Sequence, residues 1–233
     1  MFQFFHTSTP AVLTTIASTL FWAGLFIVFY TYVGYGLVIY LLSKFKRQPR
    51  YLRPIEDQYL PEVTLLVAAY NEEQCIEDKI TNTLKLDYPT DKLSIYFVTD
   101  GSTDNTPDII KKFHAVKLFH DFQRKGKIHA VNRVMKHVKT PIEVFSDANT
   151  LLNPLAIRNM VRHYQDERVG GVAGEKRIYR NTEDNASGSG EGFYWKYESK
   201  LKEWDSELHS VVGAAGELFA VRTELFEQVD ENI

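Results

Sequence analysis

The first charged side chain in this sequence is Lys44. All 27 lysines and arginines and all 30 aspartates and glutamates stand at or after that position, so the first 43 residues carry no formal charge. Such a chain is built for two solvents. From 12 to 42 it is almost wholly apolar, interrupted only by Ser, Thr and Gly. As a helix this run is ~46 Å long, more than the ~30 Å hydrocarbon core of a bilayer requires. The best spanning stretch is 20–42, and the excess tilts or lies along the interface. Trp22, Tyr30, Tyr32, Tyr35 and Tyr40 read as interface or packing aromatics. A cleaved signal peptide wants a positive start, and residues 1–10 have none. The expectation is a retained membrane anchor.

Lys44, Lys46, Arg47, Arg50 and Arg53 follow at once, with no acid before Glu56. Positive residues flanking a span stay on the cytoplasmic side. That places the N-terminus outside and the rest of the chain in the cytoplasm, at the cell (plasma or inner) membrane. The same cations suit anionic headgroups. Pro49, Pro54 and Pro61 mark a linker. The division is therefore an anchor over 1–43, a basic juxtamembrane linker over 44–62, and a domain over 63–233.

A net charge of −3 excludes a strongly basic nucleic-acid binder, so no nucleic-acid partner is expected. The one cysteine, Cys75, excludes an internal disulfide and a cysteine-based structural zinc site. It reads as a small, inert packing residue in a helix.

Past the linker, strands and helices alternate. A continuous apolar run predicts a strand over 63–68, and further strands are predicted over 93–99, 116–119, 142–145 and 169–173. Helices are predicted over 72–86, with Asn71 as its cap and Ile76, Ile80 and Leu84 on one face, then from Thr106-Pro107, over 127–137 and over 154–164. This order argues for an α/β fold, a mainly parallel, Rossmann-like sheet with helices on both faces. Ligands bind at the carboxyl ends of such strands. Residues 181–192, rich in Gly, Ser, Asn and acids, read as a loop. Tyr194, Tyr197, Leu201, Trp204 and Leu208 form one stripe of an amphipathic helix, facing a core, a sugar or the membrane interface. Gly213 and Gly216 interrupt a strand-like run over 211–221 and suggest a close backbone approach.

The strand tips carry the chemistry. The first ends in Ala69-Tyr70-Asn71-Glu72-Glu73 and the second in Thr99-Asp100-Gly101-Ser102-Thr103-Asp104. A carboxylate there accepts hydrogen bonds from a uracil imide or a ribose hydroxyl, and Gly101 permits the sharp turn beside it. By itself Asp100 serves equally as an Asx-type turn former. Lys125-Gly126-Lys127 opens a helix; two cations, a glycine and a helix N-terminus suit a diphosphate, or simply a solvated basic turn. Asp147-Ala148-Asn149 stands at the fourth tip, two oxygen ligands able to share a hard divalent cation with phosphate, or a polar turn.

Taken in order, V-T-L-L-V-A-A-Y-N-E-E, V-T-D-G-S-T-D-N-T, K-G-K and F-S-D-A-N-T resemble the membrane-bound family-2 glycosyltransferases with a GT-A fold. The resemblance runs from Val63 to the C-terminus, and Gly213–Arg222 resembles the family's acceptor-side strand. It implies an inverting transferase that moves a sugar from a nucleotide-sugar, UDP-linked by preference, to a polysaccharide or lipid acceptor at the membrane. It implies that Ala69, Tyr70, Asn71 and Glu72 line base and ribose, that Asp100 holds the uracil, and that Lys125 and Lys127 lie by the diphosphate. Asp147 and Asn149 match the motif that holds the nucleotide and Mg²⁺ or Mn²⁺.

The chain departs from the family in two places. Asn149 replaces a carboxylate of the metal motif. The family's catalytic base is an acidic pair following the Gly216–Arg222 strand; Glu183-Asp184 comes too early and Asp230-Glu231 lacks the context. The base, the Q/R-x-x-R-W motif and further spans are expected beyond Ile233, so the chain reads as an N-terminal fragment. A non-catalytic nucleotide-sugar-binding or scaffold protein is the alternative. A nucleotidyltransferase ranks lowest, because 69–73 lacks the glycine-rich, basic signature it would carry.

Overall fold

A computed structural model describes residues 9–46, 59–176, 187–211, 213–214 and 216–229. Arg47, Arg50 and Arg53, the Glu183-Asp184 pair and Asp230-Glu231 lie outside the described residues. The chain divides into two compact units: one holds the N-terminal helices and a C-terminal helical stretch from Lys196, the other the sheet and its helices.

In the first unit, α1 (Thr9–Phe29) passes through a five-residue π turn (Tyr30–Gly34) into α2 (Tyr35–Phe45). Within Val12–Phe45 an 18-residue stretch reaches a mean hydropathy of 2.0, and the apolar side chains from Val12 to Phe29 are exposed. Among the described residues this is the one helix long and apolar enough to cross a membrane. Three of its hydroxyls bond within the helix: Ser18 and Thr19 donate to the Thr15 carbonyl, and Thr31 to that of Ile27. Hydrocarbon demands this of any polar group it surrounds.

The predicted aromatic stripe belongs to α7 (Ser187–Leu208), whose second half packs on α2. The Tyr40 and Trp204 rings lie 5.1 Å apart, the Tyr197 hydroxyl donates to the Tyr32 carbonyl at 2.9 Å, and the Tyr35 hydroxyl donates to Asp205 at 2.9 Å. The Lys46 ammonium donates to the Leu208 carbonyl. A Cβ at Gly36 would lie 2.4 Å from the Tyr197 hydroxyl oxygen, so the approach needs a residue without one. Residues 187–192, expected in a loop, are the first turns of α7.

In the second unit six strands form one sheet: β1 (Val63–Ala69), β2 (Leu93–Asp100), β3 (Lys117–Asp121), β4 (Ile142–Asp147), β5 (Gly171–Ala173) and β6 (Leu218–Arg222). Their order is β3-β2-β1-β4-β6-β5; β1 to β4 are mutually parallel, and β6 runs antiparallel to both β4 and β5. Between them lie α3 (Ile76–Leu84), α4 (Thr106–Lys111), α5 (Lys127–Met135) and α6 (Ala156–Val161). Leu65, Val67, Phe97 and Val144 face Ile76 and Ile80 of α3, Ile110 of α4 and Ile157 of α6. Leu66, Val98 and Phe145 face Ala130, Val134 and Met135 of α5. Side chains alternate across a strand, so the continuous apolar runs supply both faces.

Three local expectations are corrected. Helix α3 starts at Ile76 rather than at residue 72, and Asn71 does not cap it: its φ of +53° places it in a left-handed turn, and Cys75 holds the cap position. The strand predicted over 211–221 is confined to 218–222. A Cβ at Gly213 or Gly216 would meet nothing within 4 Å, so neither marks a close backbone approach.

Candidate functional site

After β3 the chain crosses back over β2 and β1 to enter β4 on the far side, which makes the gap between β1 and β4 the topological switch point. The register pairs Ala69 with Thr99 and Ala68 with Asp147, so the tips of β1, β2 and β4 end in one row. A cavity of about 240 Å³ opens there. Its lining includes Ala69, Tyr70, Glu72, Asp100, Lys127, Asp147 and Asn149. Seven residues expected at the site from the sequence thus share one cavity.

Asp100 is 6% exposed at the end of β2. Its Oδ2 accepts the backbone N–H groups of Lys125 at 2.8 Å and Gly126 at 2.6 Å, while Oδ1 is buried without a partner among the described residues. Buried polar atoms are nearly always paired. An unpaired carboxylate oxygen in a cavity wall therefore suits a ligand N–H or O–H donor. Gly101 makes this arrangement reachable: its φ is +67°, and a Cβ there would come within 2.7 Å of the Arg124 backbone.

Arg124, which the sequence reading passed over, stacks its guanidinium 4.0 Å above the Tyr70 ring and donates to the Tyr70 hydroxyl at 3.1 Å. The pair presents a flat, cationic surface at the cavity wall. The run Arg124-Lys125-Gly126-Lys127 held a signal for it, as a third cation beside the two selected.

Two expected residues stand apart from the lining. The Asn71 side chain turns to the neighbouring loop, accepting the Thr103 N–H at 2.8 Å, while Glu73 accepts both the backbone and side-chain N–H of Asn105. Asn71 therefore laces the β1 and β2 tips together. Lys125 contributes its backbone N–H to Asp100, and its ammonium lies 3.6 Å from Asp121. Hydrogen bonds from the Gln123 N–H, aided by the charges of Lys125 and Arg133, overcome desolvation and hold the Asp121 carboxyl below the usual range.

At the β4 tip, Lys127 Nζ lies 2.5 Å from Asp147 Oδ1. The Ala148 N–H donates to the Ala68 carbonyl, and the Asp147 N–H to that of Glu217. Beneath this loop sits Lys79, whose ammonium donates to Ser146 Oγ and the Thr150 carbonyl. Burial lowers its pKa to about 8, against the opposing pull of Asp147. The sequence held no sign of it, because a lysine on an amphipathic helix reads as a surface residue. Cys75 is held protonated, its thiol pushed up to about 11 by burial and by its hydrogen bond to Glu72, in keeping with an inert role.

A second cavity of about 200 Å³ shares Ala68, Lys127 and Asp147 with the first. It is apolar, walled by Leu66, Val131, Phe145, Phe219 and Phe226.

No cluster of three or more His, Cys, Asp or Glu side chains able to hold a metal occurs among the described residues. Asp147 and Asn149 still offer one carboxylate and one amide carbonyl at the cavity rim. Mg²⁺-type ions are held by one or two carboxylates completed by substrate phosphates and water, and this donor set fits that pattern.

Three comparisons bear on this arrangement. A beta-monoglucosyldiacylglycerol synthase of Nostoc sp. is 30% identical over 203 residues, covering 84% of this chain and 42% of that protein. A poly-beta-1,6-N-acetyl-D-glucosamine synthase of Staphylococcus aureus is 34% identical over 152 residues, covering 62% of this chain and 36% of that protein. The chain thus spans less than half the length of these relatives. The solved mannosyltransferase PcManGT of Pyrobaculum calidifontis, in complex with GDP-Man and Mn²⁺, superposes with a TM-score of 0.71 at 29% identity, over 86% of this chain and 55% of that one. The expected GT-A fold is borne out by this likeness. Residues 64–230 match the family model Glycosyl transferase family 2, and the chain belongs to that family.

Proposed function

We propose that the chain carries the donor half of a membrane-anchored, inverting glycosyltransferase that uses a nucleoside-diphosphate sugar, UDP-linked by preference. The observation that carries this reading is the single cavity shared by Asp100, Lys127 and Asp147, residues 47 positions apart at most in sequence. The relatives' names support a lipid or polysaccharide acceptor. The domain from 63 to 233 would hold the donor, the anchor over 1–43 would hold it at the bilayer, and Lys44 and Lys46 would keep it on the cytoplasmic side.

Asp100 Oδ1 accepts the imide N–H of the base, and the Tyr70–Arg124 surface takes its ring face. Lys127 leaves Asp147 for the diphosphate, where its charge offsets that developing on the leaving group. Asp147 and Asn149 would hold Mg²⁺ or Mn²⁺, which would supply further electrostatic stabilisation of the leaving diphosphate. Calorimetric titration with UDP and with GDP, with and without Mn²⁺, tests the reading. Binding that strengthens with metal supports it, and no heat at millimolar nucleotide overturns it.

A further inference from the structure

Lys79 lies on α3 and is 0% exposed. Its ammonium donates to Ser146 Oγ at 2.7 Å and to the Thr150 carbonyl at 2.5 Å. Those two acceptors bracket the loop that carries Asp147 and Asn149. Both are neutral oxygens, so among the described residues the buried ammonium has no carboxylate partner at hydrogen-bond distance. Burying a charge in this way carries a desolvation penalty that a methionine of similar length would avoid. Its neighbours on the helix, Ile76, Ile80 and Thr83, bury without any such penalty. The packing of α3 therefore does not call for an ammonium; the loop above it does.

We propose that Lys79 is a positioning residue, an internal ammonium that ties Ser146 to Thr150 from below and so presets Asp147 and Asn149 at the donor cavity. The inference rests on the donor-site reading given above. Lys79 is absent from the cavity lining and acts only through the loop. A loop already held in its binding shape loses less freedom when the diphosphate arrives.

Charge and geometry pull in opposite directions here, which makes the test decisive. Removing a cation near Asp147 would, by charge alone, strengthen binding of a divalent cation. Removing two ties would let the loop open and weaken it. The full chain in detergent is compared as wild type, Lys79→Met and Ser146→Ala. The readouts are thermal midpoint, amide hydrogen exchange over 147–150 without nucleotide, and calorimetric affinity for UDP and GDP with Mn²⁺. For Lys79→Met the expected result is an undiminished midpoint, faster exchange at 147–150 with β4 still protected, and about tenfold weaker nucleotide binding. Ser146→Ala, which keeps the ammonium and one tie, shows a smaller loss in the same direction. Unchanged exchange together with unchanged or tighter binding overturns the proposal. Should Lys79→Met fail to fold, Ser146→Ala decides by the same two readouts. Wild type that binds neither UDP nor GDP overturns the donor reading alone, and exchange over 147–150 then decides whether Lys79 braces the loop.

Discussion

Lys127 and Asp147 meet at 2.5 Å on the boundary between the cavity bordered by Asp100 and Arg124 and the apolar one, and both residues line both cavities. The cation that suits a diphosphate is therefore held, before any ligand arrives, by the carboxylate that suits a metal. On the proposed reading, donor binding breaks this pair. A diphosphate brings the counter-charge that Lys127 needs and oxygens to share with a cation at Asp147, so nucleotide and metal are expected to bind each other's site more tightly together than apart.

Lys127→Met tests that trade. Both side chains are substantially exposed, at 58% and 30%, so the pair itself contributes at most about 1 kcal/mol to folding. Thermal stability should change little, nucleotide affinity should fall about tenfold, and Mn²⁺ binding without nucleotide should strengthen. Calorimetry with each ligand alone separates the last two effects.

Asp100→Asn keeps the size of the side chain but turns one acceptor oxygen into a donor. The two backbone N–H groups of Lys125 and Gly126 need the remaining oxygen, leaving the amide nitrogen toward the cavity. Affinity for the nucleotide should fall by about ten- to a hundredfold, the loss of a charge-assisted hydrogen bond. Affinity for inorganic pyrophosphate, which lacks the base, should hold.

At Gly101, alanine faces both a φ of +67° and the Arg124 backbone 2.6 Å from its Cβ. Backbone cannot yield as a flexible side chain does. Gly101→Ala should destabilise the fold by about 1–3 kcal/mol in urea titration and weaken nucleotide binding with it, because Arg124 and Gly126 ride on the displaced segment.

Glu143 gives stability a pH dependence. Both carboxyl oxygens are buried on β4 without partners among the described residues, and burial pushes its pKa up to about 9. The folded state therefore keeps a proton that the unfolded state releases near its ordinary value of 4.5. The contribution is full below pH 4.5 and is lost as pH rises toward about 9. Glu143→Gln should remove that slope, raising stability at pH 8 by up to about 5 kcal/mol and leaving it nearly unchanged at pH 4. Urea midpoints at the two pH values check it.

Much of this was legible in one dimension. The stretch L-L-V-A of β1 is apolar on both sides of the pleat, which only a strand covered on both faces satisfies, and I-E-V-F of β4 departs from that pattern at Glu143 alone. Glycine at 101 and the acids at the strand tips followed from turn chemistry. The helix over 72–86 was read too long because Ile76, Ile80 and Leu84 share a face, while periodicity carries no mark of where the backbone turns left-handed at Asn71. Glycine and serine over 187–192 suggested a loop, yet those residues continue a helix whose later turns pack on α2. Local propensity yields to such packing.

By itself, then, the sequence determined a charge-free span, an alternating α/β domain and the tips at which its polar residues cluster, because solvent sorting and strand periodicity act between near neighbours. Only the tertiary structure decided that Asp100 keeps one oxygen free, that Asn71 and Lys125 turn to structural partners, and that Lys79 lies under the Asp147 loop. Those outcomes depend on strand order and register, which set side by side atoms whose separation along the chain encodes nothing of their distance in space.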